Sequence, residues 1–314
     1  MTFRFSFARA RRRQIGAALL CVAIGVAGLA ACSDSAGGGS ASGEIDATQL
    51  PLGDGKFLTS PRRGYVYSCI TQFNGLGALR DGPWIDETAH TWDATHKISV
   101  LGSVAWPAQF AVKQMSLELE LSGNGLPSNP TGVFPIARSD PAYAYDPNSN
   151  SIKSYTLDAL LPAIPSIADE PSCVGGTIGV STLGVPFYSA FDALGRDAPA
   201  HEIQDTCNGH PEITGQYHFH ALPACWRSAP ASESGLIGWA LDGFGIYVEL
   251  DSSGKMLATA DLDECHGRVS EITWNGTRVS MYHYVATIDF PYLVGCYRGT
   301  PIASATWLHL GPPP

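Results

Sequence analysis

Histidines with strand-like spacing are the residues of this sequence best suited to chemistry. Six of the nine histidines lie within 83 residues: His201, His210, His218, His220, His266 and His283. His218 and His220 belong to the segment Tyr217-His-Phe-His220. In a β-strand, alternate side chains share a face, so these two imidazoles would stand about 7 Å apart on one side. Two imidazoles placed in this way can bind a single metal ion.

In an exported protein, cysteines are expected to be paired in disulfides and are then not available as thiolate ligands. The metal ligands that remain are imidazole and carboxylate. Imidazole suits zinc and copper, and a nearby carboxylate adds charge or orients a ligand. We therefore expect copper or zinc on His210, His218 and His220. Secondary ligands are expected among His283, His266 and Asp205.

Two other functions fit the same residues. A catalytic zinc site keeps an open water position beside a carboxylate, so Glu202 or Asp205 could be the base of a metallohydrolase or redox enzyme. Alternatively, the histidines form a structural hydrogen-bond network in a metal-free adhesion or scaffold module. No nucleophile elbow, phosphate loop or His-Glu-x-x-His motif is present, so the sequence leaves open whether the protein is an enzyme.

An internal repeat raises the specificity of the histidine pattern. Its first unit reads Gly184-Val-Pro-Phe-Tyr188, Asp205-Thr-Cys207-Asn-Gly-His210, Tyr217-His-Phe-His220 and Cys225. Its second unit reads Gly243-Phe-Gly-Ile-Tyr247, Asp263-Glu-Cys265-His-Gly-Arg268, Tyr282-His-Tyr-Val285 and Cys296. Four ordered elements recur, which predicts two copies of one β-unit related by an approximate twofold axis.

Eight cysteines are present, of which Cys21 and Cys32 belong to the N-terminal segment. The other six indicate a disulfide framework in an exported protein and allow 15 connectivities. Each repeat brackets its histidine strand with two cysteines. The repeat therefore favours the pairs Cys207–Cys225, Cys265–Cys296 and, by remainder, Cys69–Cys173.

The first residues are typical of a lipoprotein signal peptide. Residues 1–14 hold five arginines and no acid, and residues 15–31 are apolar and uncharged. They end in Leu29-Ala-Ala-Cys32, which resembles the recognition site of lipoprotein signal peptidase. We expect cleavage before Cys32, lipidation of that cysteine, and a flexible tether over residues 32–49. The protein would then be lipid-anchored in the cell envelope, at the outer membrane or cell surface.

The mature chain is acidic. Cleavage removes five of the 19 basic residues and none of the 29 acidic ones, which leaves a net charge of −15. Nucleic-acid binders need basic patches, so this class of partner is excluded. A metal ion or another surface component remains a possible partner, and the sequence does not indicate the oligomeric state.

Short β-branched or alternating runs between frequent glycines and prolines predict the fold class. We expect a mainly β, sandwich-like protein of two repeat-related units, stabilised by disulfides. The best candidate helix is residues 154–161. The predicted organisation is an N-terminal β region over residues 50–183, a histidine-rich domain over 184–299 and a tail over 300–314.

At this level of detail the chain closely resembles the YHYH-domain family, which is named for its Tyr-His-Tyr-His motif. The matching segments are Leu52-Gly-Asp-Gly55, Gly132-Val-Phe-Pro135, Asp192-Ala-Leu-Gly-Arg-Asp197, His201-Glu-Ile-Gln-Asp205, Leu241-Asp-Gly-Phe-Gly245, Leu262-Asp-Glu-Cys-His-Gly267 and Phe290-Pro-Tyr292. The resemblance implies an exported or surface protein, with metal binding as a suggestion. Arg268 and Val285 stand where the family pattern has histidine, so a single site in the first unit is expected.

Overall fold

The computed structural model describes residues 45–73, 75, 77–226 and 235–302. The predicted signal peptide, Cys32, most of the tether and most of the predicted tail lie outside the described residues. Within them the protein is mainly β, as the sequence predicts. No helix of the described part is long and apolar enough to cross a membrane.

The described residues form sixteen strands and a few short helical turns. The strands are β1 (Leu50–Pro51), β2 (Phe57–Leu58), β3 (Val66–Tyr67), β4 (Ile85–Asp86), β5 (Thr91–Trp92), β6 (Phe110–Gln114), β7 (Glu118–Gly123), β8 (Leu157–Pro162), β9 (Thr177–Ser181), β10 (Pro186–Tyr188), β11 (Gly209–Pro211), β12 (Tyr217–Phe219), β13 (Leu236–Ala240), β14 (Gly245–Tyr247), β15 (Gly267–Trp274) and β16 (Thr277–Val285). One α-helical turn, α1, spans Ala198–His201, and 3-10 turns span Pro141–Ala144 and Thr259–Asp261.

An eight-stranded sheet carries both repeat units, in the order β11-β12-β10-β9-β13-β14-β16-β15. The order is symmetric about the antiparallel pair β9–β13. On one side β9 pairs antiparallel with β10, β10 parallel with β12, and β12 antiparallel with the edge strand β11. On the other side β13 pairs antiparallel with β14, β14 parallel with β16, and β16 antiparallel with the edge strand β15. The two units are therefore related by an approximate twofold axis between β9 and β13. Each unit also includes a first strand, β9 or β13, that precedes the repeat seen in the sequence.

Strand register fixes which residues of the two units correspond. His210 lies opposite His218 on β11 and β12, and Arg268 lies opposite His283 on β15 and β16. It follows that Val285, two residues after His283, corresponds to His220.

The remaining strands form three small sheets that belong to the N-terminal region, with orders β1-β5-β4, β2-β3 and β6-β7-β8. The helix expected over residues 154–161 is wrong, because this segment contains strand β8. Leu157, Ala159 and Leu161 are buried and alternate with less buried residues, which is the two-residue period of a strand. Residues 97–104 form no strand, although Val100 and Val104 each make an isolated bridge.

Three disulfides tie these parts together. They join Cys69 to Cys173, Cys207 to Cys225 and Cys265 to Cys296, which are the pairs that the repeat favours. The last two each close a loop around one edge hairpin of the large sheet. The first links the N-terminal region to the segment that leads into β9, and its cysteines are 104 positions apart in the sequence.

Candidate metal centre

Strand pairing brings three histidines together at one edge of the large sheet. His210 on β11 lies directly across from His218 on β12, and His220 follows the end of β12. One ligand atom from each lies within 4.8 Å of the others, and all three residues are buried. Tyr217 and Phe219 alternate with the histidines and pack in the hydrophobic core. This is the shared face that the spacing of His218 and His220 predicts.

Backbone carbonyls orient two of the imidazoles. Nδ1 of His218 lies 3.1 Å from the carbonyl oxygen of Gln216, and Nδ1 of His220 lies 2.5 Å from that of Ser189. A carbonyl only accepts hydrogen bonds, so both Nδ1 atoms donate and both Nε2 atoms are left with a lone pair. The two Nε2 atoms face each other at 3.0 Å. Ligands of metal sites are commonly oriented by such outer hydrogen bonds.

The spacing of these nitrogen atoms suits a metal ion. Nitrogen ligands of a tetrahedral zinc ion, bonded at about 2.0–2.1 Å, lie about 3.3 Å from each other. The third imidazole, His210, is buried, and neither of its nitrogens has a hydrogen-bond partner. Buried polar atoms rarely remain unpaired. The three histidines could therefore hold a metal ion, which would satisfy the lone pairs that the protein leaves open.

Glu202 adds a negative charge to the cluster. It follows α1, and its Oε2 atom lies 3.3 Å from Nε2 of both His210 and His220. Burial opposes ionisation of this carboxyl, but the charge of His210 and the close approach of His210 and His220 outweigh it and hold its pKa well below the ordinary range. Glu202 is therefore an anion, available as a further ligand or as a base.

The same contacts give His210 and His218 different pKa values. Burial disfavours the charged form of His210, yet attraction to Glu202 and Asp146 leaves its pKa raised above 6.5. Burial together with repulsion from His210 and His220 holds the pKa of His218 well below its usual value. His218 is thus a neutral imidazole at physiological pH, whereas His210 is the first of these two to take a proton.

Two residues that sequence reasoning missed hold the centre in place. Tyr188 stacks on His218 with ring centroids 3.9 Å apart. Nζ of Lys97 donates to the backbone carbonyls of Pro199 and Glu202 and to the side-chain oxygen of Gln204. Tyr188 could have been found from the repeat, because Tyr247 recurs at its position. Lys97 lies far away in a segment without a motif, so the sequence contains no comparable signal for it.

Asp205, predicted as a secondary ligand or a base, is placed outside the three-histidine cluster. Its carboxylate accepts hydrogen bonds from the hydroxyl of Tyr217 and from the backbone nitrogens of Gly132, Cys207 and Gly209. Burial is the main influence on this carboxyl and raises its pKa. Through these hydrogen bonds, Asp205 connects β11, β12 and the N-terminal region.

The other three of the six histidines that cluster in the sequence, of which His266 and His283 were predicted as secondary ligands, are also placed elsewhere. His266 is buried in the second unit, where its Nε2 lies 3.1 Å from the hydroxyl of Thr287, and burial lowers its pKa to about 3. His283 lies on β16, with Nδ1 donating to the carbonyl of Met281. His201 lies between Asp81 and Asp54. The structure does not bring these histidines to the cluster of His210, His218 and His220.

The second unit has an ion-pair cluster at the place that corresponds to the three histidines. Glu249 lies 3.3 Å from Nε2 of His283 and 3.6 Å from Nε of Arg268, and it accepts a hydrogen bond from Ser270. Glu249 comes from the segment after β14, whereas Glu202 comes from the loop after α1. The second unit thus reaches a similar charge arrangement with a different carboxylate and a fixed cation.

Comparison with known proteins agrees with these motifs. The family model described as "YHYH protein" matches residues 162–256, from the end of β8 through the three histidines to the segment after β14. No curated protein and no solved structure matches the chain. The matched residues include His210, His218, His220 and Glu202, so the segment that carries the candidate centre is similar to the YHYH protein family.

Proposed function

We propose that this protein binds one transition-metal ion, copper or zinc, through His210, His218 and His220. The observation that supports the proposal is the pair of facing Nε2 lone pairs, 3.0 Å apart, beside an imidazole without a hydrogen-bond partner. Imidazole nitrogens favour zinc and copper over magnesium or calcium. Glu202 balances part of the metal's charge, and the carbonyls of Gln216 and Ser189 fix the orientation of two ligands.

Metal content of the purified mature domain tests this proposal. We expect about one zinc or copper ion per chain after loading and removal of excess metal. The double variant His218→Ala/His220→Ala is expected to lose that ion. His96→Ala is the matched control, because its imidazole is 79 % exposed and contacts Asp93 instead of the cluster.

The outcomes separate the candidate functions. A folded double variant that retains its full metal content would place the site elsewhere. A wild-type domain that folds and takes up no metal would overturn the proposal and would favour the metal-free adhesion or scaffold module.

The position of Glu202 favours a second, more specific function, which is hydrolysis at the same metal. A carboxylate beside a metal can accept a proton from bound water and so supply hydroxide for attack on a carbonyl. Glu202→Gln is then expected to retain the metal but lose turnover of a generic ester such as p-nitrophenyl acetate. Equal turnover by the variant and the wild type would exclude Glu202 as the base.

We also propose that the protein is exported and anchored in the cell envelope through lipid on Cys32. Three disulfides support an oxidising compartment. Cys32→Ser is expected to remove the lipid and to leave the protein either unprocessed or soluble. A Cys32→Ser protein that still fractionates with membranes at its mature size would contradict the anchor.

A further inference from the structure

A cavity of about 310 Å³ lies next to the candidate metal centre. His220 forms part of its wall, together with Leu222 after β12 and Lys97, Trp92 and Ile98 from the N-terminal region. Ligand pockets have this size and this mixture of apolar walls with a few polar groups. Because the cavity reaches a proposed metal ligand, its contents can come close to the metal.

The internal repeat provides a comparison that singles out this cavity. Counting back from the equivalent residues Asp205 and Asp263, Pro199 corresponds to Leu257 and Gln204 to Leu262. Strand register makes Val285 the counterpart of His220.

The corresponding positions of the second unit are filled. Leu257, Leu262 and Val285 form a hydrophobic cluster in which each residue is at most 6 % exposed. Their counterparts Pro199, Gln204 and His220 line the cavity in the first unit. Equivalent backbone positions thus hold a small packed core in the second unit and border a cavity in the first unit, which carries the three histidines. Close packing is the usual state of protein interiors, so space beside the histidines, at positions that the second unit fills, points to a ligand.

Charge indicates which end of that ligand faces the histidines. A divalent metal on three neutral imidazoles and one Glu202 carboxylate retains a net positive charge. Lys97 lies at the same wall, 6.0 Å from the centroid of the Trp92 ring, but burial lowers its pKa to about 7, and its three N–H donors are engaged by Pro199, Glu202 and Gln204. Leu50, Ile98 and Ile288 give the other walls apolar surface, beside the polar side chains of Ser99, Asn208 and Asp205. An anionic oxygen group at one end and an apolar body at the other complement this arrangement.

We propose that the cavity is the ligand pocket of the metal centre and takes a small monocarboxylate with an apolar body. The carboxylate faces the metal, and the body packs between Trp92 and the aliphatic walls. This inference rests on the proposed metal site, because the metal supplies the positive charge.

Binding of benzoate to the Co²⁺-loaded mature domain tests the pocket. Cobalt reports its ligands through visible absorption, so benzoate at the metal is expected to change the spectrum. Benzyl alcohol, which has the same ring without the negative charge, is expected to bind at least tenfold more weakly by calorimetry. Ser99→Phe places a ring at the cavity wall and is expected to weaken benzoate binding at least tenfold. Ser103→Phe is the matched control, because Ser103 is exposed and does not line the cavity.

Cobalt content is measured in every variant, which separates this inference from the proposed function. Loss of benzoate binding in Ser99→Phe at full cobalt content supports the pocket, and Leu222→Trp at another wall gives the same test if Ser99→Phe does not fold. A wild-type domain that loads cobalt and does not bind benzoate, or that binds benzyl alcohol equally well, overturns the inference and leaves the metal site standing. A wild-type domain that loads no metal overturns both.

Discussion

Arg268 lies directly opposite His283 on neighbouring strands, in the same register that places His210 opposite His218. The guanidinium and the imidazole share the Glu249 carboxylate, at 3.6 and 3.3 Å. A fixed positive charge therefore occupies the place of the third imidazole, and Val285 occupies the place of His220. A cation next to an incomplete set of ligands repels a metal ion, so the second unit is expected to bind none.

Restoring the two missing histidines is expected to create a second metal site. In the double variant Arg268→His/Val285→His, three imidazoles would face one another beside Glu249, as they do beside Glu202. Metal content should rise from about one to about two ions per chain, as measured by elemental analysis after removal of excess metal.

The single variant Val285→His is the control for this experiment, because it adds an imidazole and keeps the guanidinium of Arg268. Its metal content should stay near one ion per chain. A second ion in this single variant would show that Arg268 does not prevent metal binding.

Metal affinity is expected to fall as the pH is lowered. Ligation requires neutral imidazole, so protons and metal compete. The pKa of His210 is raised above 6.5 through attraction to Glu202 despite burial, and that of His218 is held well below 6.5. Affinity should therefore decline about tenfold per pH unit once the pH falls below the raised pKa of His210, since one proton must then be displaced.

Chelator competition between pH 5 and 8 measures this dependence. In Glu202→Gln the anion that raises the pKa of His210 is gone, so the decline should begin at a lower pH than in the wild type. An affinity that stays constant over the whole range would exclude His210 as a ligand.

Asp205 is expected to matter for stability and not for metal binding. Asp205→Asn removes a charged acceptor of hydrogen bonds from the Tyr217 hydroxyl and from backbone nitrogens, which should lower the free energy of unfolding by about 1–3 kcal/mol. Metal content should not change.

Asp263 provides a matched comparison in the second unit, because it accepts equivalent hydrogen bonds from Tyr282, Cys265 and Gly267. Urea unfolding of Asp205→Asn and Asp263→Asn should give losses of similar size. If Asp205→Asn alone removed the metal, Asp205 would be a ligand after all.

His201 is expected to stabilise the fold most strongly in mildly acidic solution. Burial lowers its pKa, but hydrogen bonds and charge from Asp54 and Asp81 outweigh burial and raise it above 6.5. A raised folded-state pKa gives stability that is fully present below pH about 6.5 and is lost as the pH rises through the folded-state value. The pKa of Asp54 is lowered, despite burial, by its hydrogen bonds with His201 and the backbone nitrogen of Asp197, so its contribution is lost at acidic pH below about 3.8.

Urea unfolding of His201→Gln between pH 5 and 9 tests this contribution. The difference from the wild type should be about 1 kcal/mol near pH 5–6 and should shrink towards pH 9. His96→Gln, at an exposed ion pair with Asp93, is the control and should change little. A difference for His201→Gln that grows with pH would contradict the raised pKa.

The repeat made much of the fold predictable. Residues such as Cys207 and Cys265 hold equivalent places in the sequence, so their disulfide partners and the twofold relation followed from the order of motifs. Strands β9 and β13 were not recognised as the start of each unit, because their side chains serve packing and share no distinctive residues. The segment that forms β8 was misjudged because leucine and alanine favour a helix, whereas tertiary packing of one face decides in favour of a strand.

The sequence predicted only the part of the candidate site that depends on the spacing of residues within one strand. His218 and His220 share a strand, so alternation alone places them together. Which distant residue meets them depends on loop paths, and this is why Asp205, which is closer in sequence to His210 than Glu202 is, is placed with Tyr217 while Glu202 meets the imidazoles. His266 was wrongly predicted as a secondary ligand for the same reason, because its position next to Cys265 in the sequence does not determine the direction of its ring.

The symmetric pairing of β9 with β13 has a consequence for assembly. Antiparallel strands related by a twofold axis form the same hydrogen-bond ladder whether they belong to one chain or to two identical chains. The large sheet is thus the covalently linked equivalent of an isologous homodimer. In a homodimer every substitution appears twice, whereas in the linked form one half can keep a three-histidine cluster while the other replaces it with an ion pair and a packed core.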